Sequence, residues 1–347
     1  MKLRKALAFD DVLLVPRESD IPSRSLVDTS SVVGGLKLKV PLISSPMDTV
    51  TEGTMARELG LLGGLGIIHR FCDTQEQIHF LRAPIEAGVY AGFAVGVGEE
   101  ARERFRHIYD EYESGLSVVC VDIANGHSVL MKETIQYIRD YAPDISLMAG
   151  NVATRGGYRF LAELGVNSVR VGIGGGSICK TRIQTGFGVP TFTSVLWSSD
   201  IKDSMYPEVS IIADGGIRYP GDLAKSIGAG ADAVICGSIF AGSKEAPGDV
   251  INWTDGIAYK KYRGMASEEI QIEKRGGLKP GTCAEGTSTL VRYKGSMARV
   301  AEEFEGGLRS ALTYNGSWDV GHFQKTAEFI EITDSGLRES HSHGTRR

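Results

Sequence analysis

The chain has 347 residues, and 44 of them are glycine, nearly twice the usual share of about 7%. Hydrophobic residues make up 42% of the chain and charged residues 23%, which excludes a disordered protein; the glycines follow no three-residue period, which excludes collagen. The 38 basic and 43 acidic residues give a net charge of −5, which argues against a general nucleic-acid or membrane-surface binder. A nucleotide held at a local phosphate site remains compatible with this charge.

Five cysteines are present without a CxxC pair or a histidine cluster: Cys72, Cys120, Cys179, Cys236 and Cys283. Their number and spacing predict neither a disulfide framework nor a zinc site. No apolar run reaches the roughly 18 residues of a membrane span. Because Asp10 and Asp11 interrupt the apolar stretch after the basic N-terminus, a signal peptide is not expected. We therefore expect a cytoplasmic protein.

Short apolar runs alternate with amphipathic segments along most of the chain. The runs predict eight strands, at Pro41–Ser45, Leu65–His69, Gly92–Val97, Val118–Val121, Ser146–Gly150, Ser168–Val171, Val209–Ala213 and Ala233–Cys236. Helices are predicted at Thr51–Leu62, Thr74–Arg82, Glu99–Glu113, Val129–Tyr141, Gly156–Leu164, Pro190–Ser199 and Pro220–Ile227. Strands buried on both faces are typically apolar throughout, and eight β-then-α units favour a (β/α)8 TIM barrel over a doubly wound sheet.

The alternation ends after the eighth strand. Residues 264–295 are polar and glycine-rich, and we interpret Ser267–Ser288 as an irregular flap over the barrel mouth. A helix is predicted at Met297–Leu312, and Gly336–Arg347 is expected to form a polar tail. The length then corresponds to a single barrel domain with a flap and a tail.

The segment from Gly172 to Arg182 carries the strongest chemical signal. Its glycines allow backbone N–H groups to converge on an anion, and Ser177 adds a hydroxyl. Cys179 follows these glycines and stands beside Lys180 and Arg182, whose charges favour a thiolate. We therefore predict that Cys179 is a nucleophile, whereas the other four cysteines are expected to be small buried residues.

Two further segments suggest a phosphate and proton-transfer site. Asp214-Gly215-Gly216 ends the seventh strand, and Gly237-Ser238 ends the eighth, where barrels often bind phosphate. A carboxylate at Asp214 could accept hydrogen bonds from sugar hydroxyls. Glu285, within the expected flap, could serve as a proton shuttle.

These motifs resemble the inosine-monophosphate dehydrogenase and GMP reductase superfamily. The resemblance rests on Asp10-Asp11-Val12-Leu13-Leu14, Ser45-Pro46-Met47-Asp48, Leu62 through His69, Val171 through Thr181, Asp214-Gly215-Gly216-Ile217 and Gly306 through Ser310. It extends from Phe9 to His343. The resemblance implies a barrel fold and a cysteine that attacks C2 of a purine nucleotide.

The resemblance also implies a role for each matching residue. Cys179 would be the nucleophile, with Thr181 and Glu285 as a proton relay. The nucleotide would be bound by Ser45, Met47, Ser177, Asp214, Gly215, Gly216, Gly237, Ser238, Tyr262, Gly264, Met265, Ser267 and Gly286, and the nicotinamide cofactor by Asp122, Ile123, Ala124, Asn151 and Gly172. Arg24 and Arg70 would meet the extra phosphate of NADPH. Carbonyls of Gly174, Gly176 and Cys179, completed by Glu339, Ser340 and His341 of a neighbouring subunit, would hold K⁺ in a homotetramer.

Several features favour the reductase branch of this superfamily. Only Phe71–Ala91 separate the second and third strands, which leaves no room for the regulatory domain pair that the dehydrogenase usually carries there. The flap also lacks the Arg-Tyr pair that activates water in the dehydrogenase, since Gly276 follows Arg275. Asp122 through Gly126 and Tyr262 through Glu268 resemble reductase segments.

Other features resemble the dehydrogenase and keep alternatives open. Thr282 stands where the reductase flap usually has an arginine, and Glu339 through His343 resembles the dehydrogenase tail. We predict a GMP reductase that uses NADPH. The alternatives are an IMP dehydrogenase without the regulatory domain pair, which would use NAD, and a noncatalytic purine-nucleotide-binding regulator.

Overall fold

The computed structural model describes residues 3–254, 256–277 and 281–342. Its strands are β1 (Val12–Leu14), β2 (Ser31–Val33), β3 (Leu36–Leu38), β4 (Leu42–Ser44), β5 (Leu65–Ile68), β6 (Ala91–Val95), β7 (Val118–Asp122), β8 (Ser146–Val152), β9 (Ser168–Val171), β10 (Ser210–Asp214), β11 (Ala233–Cys236), β12 (Ile251–Asn252), β13 (Ala258–Arg263), β14 (Ser288–Arg292) and β15 (Phe329–Glu331). Its helices are α1 (Gly53–Leu61), α2 (Thr74–Glu86), α3 (Glu99–Tyr112), α4 (Val129–Tyr141), α5 (Arg155–Glu163), α6 (Thr181–Thr185), α7 (Thr191–Met205), α8 (Pro220–Gly228), α9 (Glu268–Arg275), α10 (Met297–Tyr314), α11 (Val320–Thr326) and α12 (Asp334–Glu339).

Strands β4 to β11 form a closed parallel barrel. Each strand pairs with the next along the chain, and β11 pairs back with β4, with Ile235 opposite Ile43. Helices follow the strands in alternation and cover the barrel, with their apolar faces in the main core. The predicted TIM barrel is thus confirmed. Between β5 and β6 the chain forms only α2 and its loops, so no regulatory domain is inserted there.

A short hairpin, β2–β3, fills the amino-terminal end of the barrel. Gly34 and Gly35 form its turn with φ angles of +56° and +86°, a conformation that favours glycine. Val33 and Leu38 are buried among the inward-facing residues of the barrel strands. The Gly34 N–H donates to Ser210 Oγ at 3.0 Å. The sequence interpretation missed this hairpin, which closes the end of the barrel opposite the strand carboxyl ends.

Helix α2 continues past the predicted end at Arg82 to Glu86, although Pro84 lies inside it. Proline has no N–H to donate to the carbonyl of Phe80, one turn earlier. Gly53 of α1 approaches this carbonyl so closely that a Cβ on Gly53 would lie 2.6 Å from its oxygen. Helix α2 therefore packs closely against α1 at Gly53, beside the carbonyl that Pro84 leaves without its helical N–H donor.

The segment expected to be an irregular flap contains regular structure. Strands β12, β13 and β14 form an antiparallel sheet, and α9 connects toward β14. The Ser267 hydroxyl caps α9 by accepting from Ile270 N–H, and Gly276 ends the helix with a φ of +71°. The segment interpreted as irregular therefore contains the regular helix α9, and its role as a flap over the barrel mouth stays a prediction. Residues 278–280 lie outside the described residues.

The two ends of the described chain meet beside the barrel. Strand β1 pairs antiparallel with β15, and α12 packs against the turn at Phe9–Asp11. The expected polar tail thus begins with a helix, and residues 343–347 of that tail lie outside the described residues. Among the described helices, none has both the length and the hydropathy needed to cross a membrane.

Candidate active site

The carboxyl ends of the barrel strands open into one large cavity of about 1050 Å³. Both the barrel rim and the flap contribute to its wall. The predicted site residues that line it are Ser45, Met47, Arg70, Asp122, Ile123, Ala124, Asn151, Gly174, Gly176, Ser177, Cys179, Thr181, Asp214, Gly215, Gly216, Gly237, Ser238, Tyr262, Gly264, Met265, Glu285 and Gly286. The fold therefore brings most of the predicted residues together.

Some predicted residues lie outside the cavity lining: Arg24, Gly172, Ser267, Glu339, Ser340 and His341. Gly172 packs against the backbone of Asp214 behind the cavity wall. A Cβ on Gly172 would lie 2.0 Å from the carbonyl oxygen of Asp214, so this close approach requires glycine. Ser267 is buried as the cap of α9. Arg24 Nη1 donates to Ser310 Oγ at 2.9 Å, so Arg24 does not face a phosphate in the cavity of its own chain. Residues 339–341 lie at the end of α12.

Cys179, Thr181 and Glu285 form a hydrogen-bonded chain at the cavity wall. The Cys179 thiol donates to Thr181 Oγ1 at 3.2 Å, and the Thr181 hydroxyl donates to Glu285 Oε2 at 2.8 Å. Thiol, hydroxyl and carboxylate are thus aligned so that a proton can move from sulfur to carboxylate. The sequence separates Thr181 from Glu285 by 104 positions, and the flap brings them together.

Backbone hydrogen bonds fix the flap against the cysteine loop. The Lys180 N–H donates to the Glu285 carbonyl at 2.7 Å, and the Thr287 N–H donates to the Ile178 carbonyl at 3.1 Å. On its other side, the Glu285 N–H donates to the Ala266 carbonyl at 3.0 Å. Because these bonds lie on both sides of Glu285, the backbone determines the position of its carboxylate.

The five cysteines differ in exposure. Cys179 is exposed in the cavity, whereas Cys120 and Cys236 are buried in the barrel, as predicted. Burial raises the pKa of Cys120 to about 11 and that of the partly buried Cys72 to about 12, so both thiols stay protonated near neutral pH. Cys283 was expected to be buried but is exposed, because it lies on the flap rather than in a core strand.

Arg182 contacts the backbone of the cysteine loop and of the loop that follows it. Its Nη2 donates to the Val189 carbonyl at 2.7 Å, which turns the guanidinium toward the backbone of the following loop. A Cβ on Gly174 would lie 2.5 Å from the Arg182 Cγ, and one on Gly188 would lie 2.6 Å from it, so both glycines admit the arginine stem. Arg182 therefore secures the shape of the cysteine loop.

A group of small and polar residues forms a cradle between the cysteine loop and β11. Burial raises the pKa of Tyr262 to about 12, so its hydroxyl, which is hydrogen-bonded to Ser177, stays protonated. A Cβ on Gly237 would lie 2.7 Å from the Tyr262 hydroxyl oxygen and 2.9 Å from Met47 Sδ. With Gly216 at a φ of +83°, the cradle combines open backbone with hydroxyl donors, which suits an anion.

Arg170 joins two carboxylates of the cavity, and the sequence interpretation missed it. Its Nη2 donates to Asp214 Oδ2 at 2.7 Å, and its Nη1 donates to Asp122 Oδ1. Asn151 Nδ2 donates to the same Asp214 oxygen at 2.8 Å. Gly150 leaves the space that Arg170 occupies, since a Cβ there would lie 2.6 Å from Arg170 Cβ. The sequence does contain a signal that could have identified Arg170, because it is a charged residue within the otherwise apolar strand Ser168–Val171.

Beyond Asp122, the cavity continues as an arm between the ends of β5 and β6. Phe71, Gly96, Val97 and Arg104 line this arm, and Arg70 stands at its entrance. Arg70 Nε lies 3.6 Å from Asp122 Oδ2, which ties this arginine to the cavity wall. Elsewhere in the cavity wall, Asn151 Oδ1 is buried without a hydrogen-bond partner among the described residues, and an unpaired acceptor there indicates a polar ligand that would complete it.

A family model described as IMP dehydrogenase / GMP reductase domain matches residues 6–343. The chain belongs to this family. The resemblance seen in the sequence is thus confirmed, since the matched residues include the barrel strands, the cysteine loop and the segment after the eighth barrel strand. The members found here are oxidoreductases, and the family implies a nicotinamide cofactor.

Relatives of both branches resemble this family member. An inosine-5'-monophosphate dehydrogenase from Cryptosporidium parvum is 35% identical over an alignment 391 positions long, gaps included, which covers 98% of this chain and 95% of the relative. A GMP reductase from Clostridium acetobutylicum is 36% identical over 329 residues, covering 94% and 96%. A crystal structure of a cysteine-to-alanine variant of GMP reductase from Trypanosoma brucei, in complex with guanosine 5'-monophosphate, superposes with a TM-score of 0.92 at 26% identity and covers 99% of both chains.

Proposed function

We propose that this family member is a GMP reductase, which converts GMP to IMP and ammonia with NADPH as the reductant. The observation that carries the proposal is the hydrogen-bonded chain from Cys179 through Thr181 to Glu285. Displacement of an amino group as ammonia requires a proton at nitrogen, and this chain can deliver one beside the nucleophile. The purine nucleotide is proposed as the substrate because the cradle beside Cys179 suits its phosphate.

The proposed reaction begins with attack of the Cys179 sulfur on C2 of the purine. The thiol proton passes through the Thr181 hydroxyl to Glu285, which then protonates the departing 2-amino group. Ammonia leaves, and a thioimidate remains in which C2 is bonded to sulfur. After a hydride has been added at C2, the bond between C2 and sulfur breaks, IMP is released, and Cys179 regains a proton from solvent.

The cradle and Asp214 would hold the nucleotide during this reaction. Ser177, Gly216, Gly237, Ser238 and Tyr262 would bind the 5′-phosphate through hydroxyl and backbone N–H donors. Asp214 would accept from the ribose hydroxyls through the oxygen that Arg170 does not engage. Met47, Gly264 and Met265 would line the base, since all three face the cavity.

The residues of the arm fit a nicotinamide cofactor. Asn151 Oδ1 could accept from a primary amide, and this oxygen has no hydrogen-bond partner among the described residues. NADPH, when bound, would supply the hydride for C2. Arg70 and Arg104 offer guanidinium donors in a part of the lining that also contains Asp73 and Glu100, and these donors could bind a cofactor phosphate. Ile123 and Ala124 would contact its ring.

The carbonyls of Gly174, Gly176 and Cys179 are proposed as ligands of a K⁺ ion. Neutral backbone oxygens suit a hard monovalent cation, and the described residues hold no group of three or more histidine, cysteine or acidic side chains arranged to bind a metal ion. In this proposal, Glu339, Ser340 and His341 of a second copy complete the site, which requires a homotetramer. The cation would stabilise the shape of the cysteine loop.

The flap argues against the hydrolytic step of a dehydrogenase. The segment 264–288 contains no tyrosine, so the Arg-Tyr pair of the dehydrogenase branch is missing. Overall identity does not separate the two branches, since the two relatives are 35% and 36% identical to the chain. IMP dehydrogenase therefore remains the second candidate, favoured by Thr282 in place of the reductase arginine.

The proposal is tested by absorbance at 340 nm. We expect loss of NADPH when GMP is added, and no turnover after Cys179→Ala, because the variant removes the thiol that attacks C2. Cys283→Ala, which removes the other exposed thiol, is expected to keep full activity. Appearance of NADH with IMP and NAD would replace the proposed function by the second candidate.

A further inference from the structure

Arg263 ends β13 at the point where the flap sheet meets the barrel rim. Its Nε donates to Asp48 Oδ2 at 2.9 Å, and its backbone N–H donates to Thr49 Oγ1 at 3.2 Å. Asp48 and Thr49 belong to the loop after β4. The side chains of Arg263 and Asp48 are 11% and 9% exposed, so this ion pair is largely removed from water.

The same guanidinium also binds helix α9. Its Nη1 donates to Glu269 Oε1 at 3.0 Å and to Glu273 Oε2 at 2.6 Å. The hydrogen bond from Lys261 lowers the pKa of Glu269 to about 2, so this carboxylate is charged at neutral pH. One arginine thus connects three carboxylates, one on the barrel rim and two on the flap helix.

The three elements that meet at Arg263 all contribute to the cavity wall. Met47 precedes Asp48, and Gly264 and Met265 follow Arg263. Ile270 of α9 also lines the cavity. Arg263 itself is absent from the lining, so any effect on a bound nucleotide has to act through these neighbours.

The two sides of the cluster differ in strength. Asp48 is buried, and its second oxygen has no hydrogen-bond partner among the described residues, so separation from Arg263 would leave an uncompensated buried charge. Glu269 and Glu273 are 36% and 47% exposed, where an ion pair contributes little and can open at low cost. The rim side therefore anchors the arginine, and the helix side is the one that can be released.

We propose that Arg263 is a positioning residue that clamps α9 over the nucleotide site. The clamp holds Ile270 at the cavity and, once a nucleotide is bound, limits release of that nucleotide and access of solvent to Cys179 beneath it. The inference rests on the proposed nucleotide site, but it holds for either direction of the reaction.

The test uses the double variant Glu269→Gln/Glu273→Gln, which weakens the exposed side and leaves the buried pair intact. The control is Glu268→Gln, which removes a carboxylate from the same helix that Arg263 does not bind. The readout is the rate at which iodoacetamide alkylates Cys179 in the presence of GMP, followed by peptide mass spectrometry that separates the Cys179 and Cys283 peptides. We expect the double variant to react about fivefold faster at Cys179, the size expected when two half-exposed ion pairs are lost.

Steady-state kinetics give the second readout. We expect the KM for the nucleotide to rise by about fivefold in the double variant and the kcat to stay within about twofold, because the reacting groups are unchanged. Arg263→Lys keeps the charge but cannot reach all three carboxylates, so its KM should rise as well. If the double variant matches Glu268→Gln in both readouts, Arg263 has only a structural role.

Failure of the clamp can be distinguished from failure of the proposed function. Wild-type alkylation is measured with and without GMP and with and without IMP. Protection of Cys179 by neither nucleotide would contradict the nucleotide site itself. Normal protection in the wild type, with a double variant that reacts like its control, would contradict only the clamp.

Discussion

At the scale of single residues, Arg170 illustrates how a buried charge organises this cavity. The side chain is 6% exposed and lies between Asp122 and Asp214, which face the cavity from neighbouring regions of the barrel. Each carboxylate needs the arginine because both are partly removed from water. Arg170 thereby orients both Asp214, which is proposed to bind the ribose, and Asp122, which is proposed to face the cofactor.

Arg170→Met is expected to reduce the free energy of unfolding by about 3–5 kcal/mol, because it leaves two carboxylates without their buried partner. Arg159→Met is the matched control, since Arg159 pairs with Glu163 on the exposed face of α5 and its loss should leave the free energy of unfolding nearly unchanged. Urea unfolding followed by circular dichroism measures both. Equal stabilities of the two variants would show that Arg170 is not needed to balance these charges.

Glu285 provides the second prediction at the residue scale. Glu285→Gln keeps the size of the side chain but removes the carboxylate proposed to receive the thiol proton, so kcat should fall by about 100-fold or more. Thr181→Val should have a similar effect, and the double variant should be no slower than the worse single variant, because the two residues act in one chain. Additive losses measured by steady-state kinetics would indicate independent roles.

At the scale of elements, the sequence predicted the barrel well and the flap poorly. Val129–Tyr141 has the predicted bounds because its apolar positions repeat with helical spacing and Ser128 caps it. Ser267 followed by two glutamates is typical of a helix start and indicates α9. The helix was not predicted because the glycines around this segment favour an irregular loop. The β2–β3 hairpin was missed because its strands are only three residues long and gain stability from contacts with the barrel rather than from one another.

Adjacent glycines in α10 should respond in opposite ways to the same substitution. Gly306 has open space around its Cβ position, so Gly306→Ala should stabilise the helix by about 0.5–1 kcal/mol. A Cβ on Gly307 would lie 2.2 Å from Pro220 Cβ of α8, so Gly307→Ala should destabilise the protein by about 1–3 kcal/mol. Thermal unfolding of the two variants measures this difference. A loss of stability in Gly306→Ala would contradict the packing of α10 described here.

At the scale of the whole molecule, the site depends on contacts between distant parts of the chain. Cys179 and Thr181 come from the loop after β9, Glu285 comes from the flap, and Asp48 comes from the loop after β4. Motifs in the sequence predicted most of the lining residues, since strand carboxyl ends meet at one rim. Arg263 and Arg104 could not be predicted in this way, because only the folded flap and the α3 packing show what they face.

The overall fold does not by itself decide between the two branches of the family. The chain superposes on a GMP reductase with a TM-score of 0.92 at 26% identity, and dehydrogenase relatives are about as similar in sequence as reductase relatives. The distinction therefore depends on a few groups around Cys179. The proton relay to Glu285 and the missing Arg-Tyr pair favour amino-group displacement over hydrolysis.

The most direct test of the central claim is the amount of ammonia released per NADPH oxidised when the purified protein is incubated with GMP. The account predicts one ammonia and one IMP for each NADPH, with none of these products from the Cys179→Ala variant. Absence of ammonia with GMP, together with XMP formation from IMP and NAD, would contradict it.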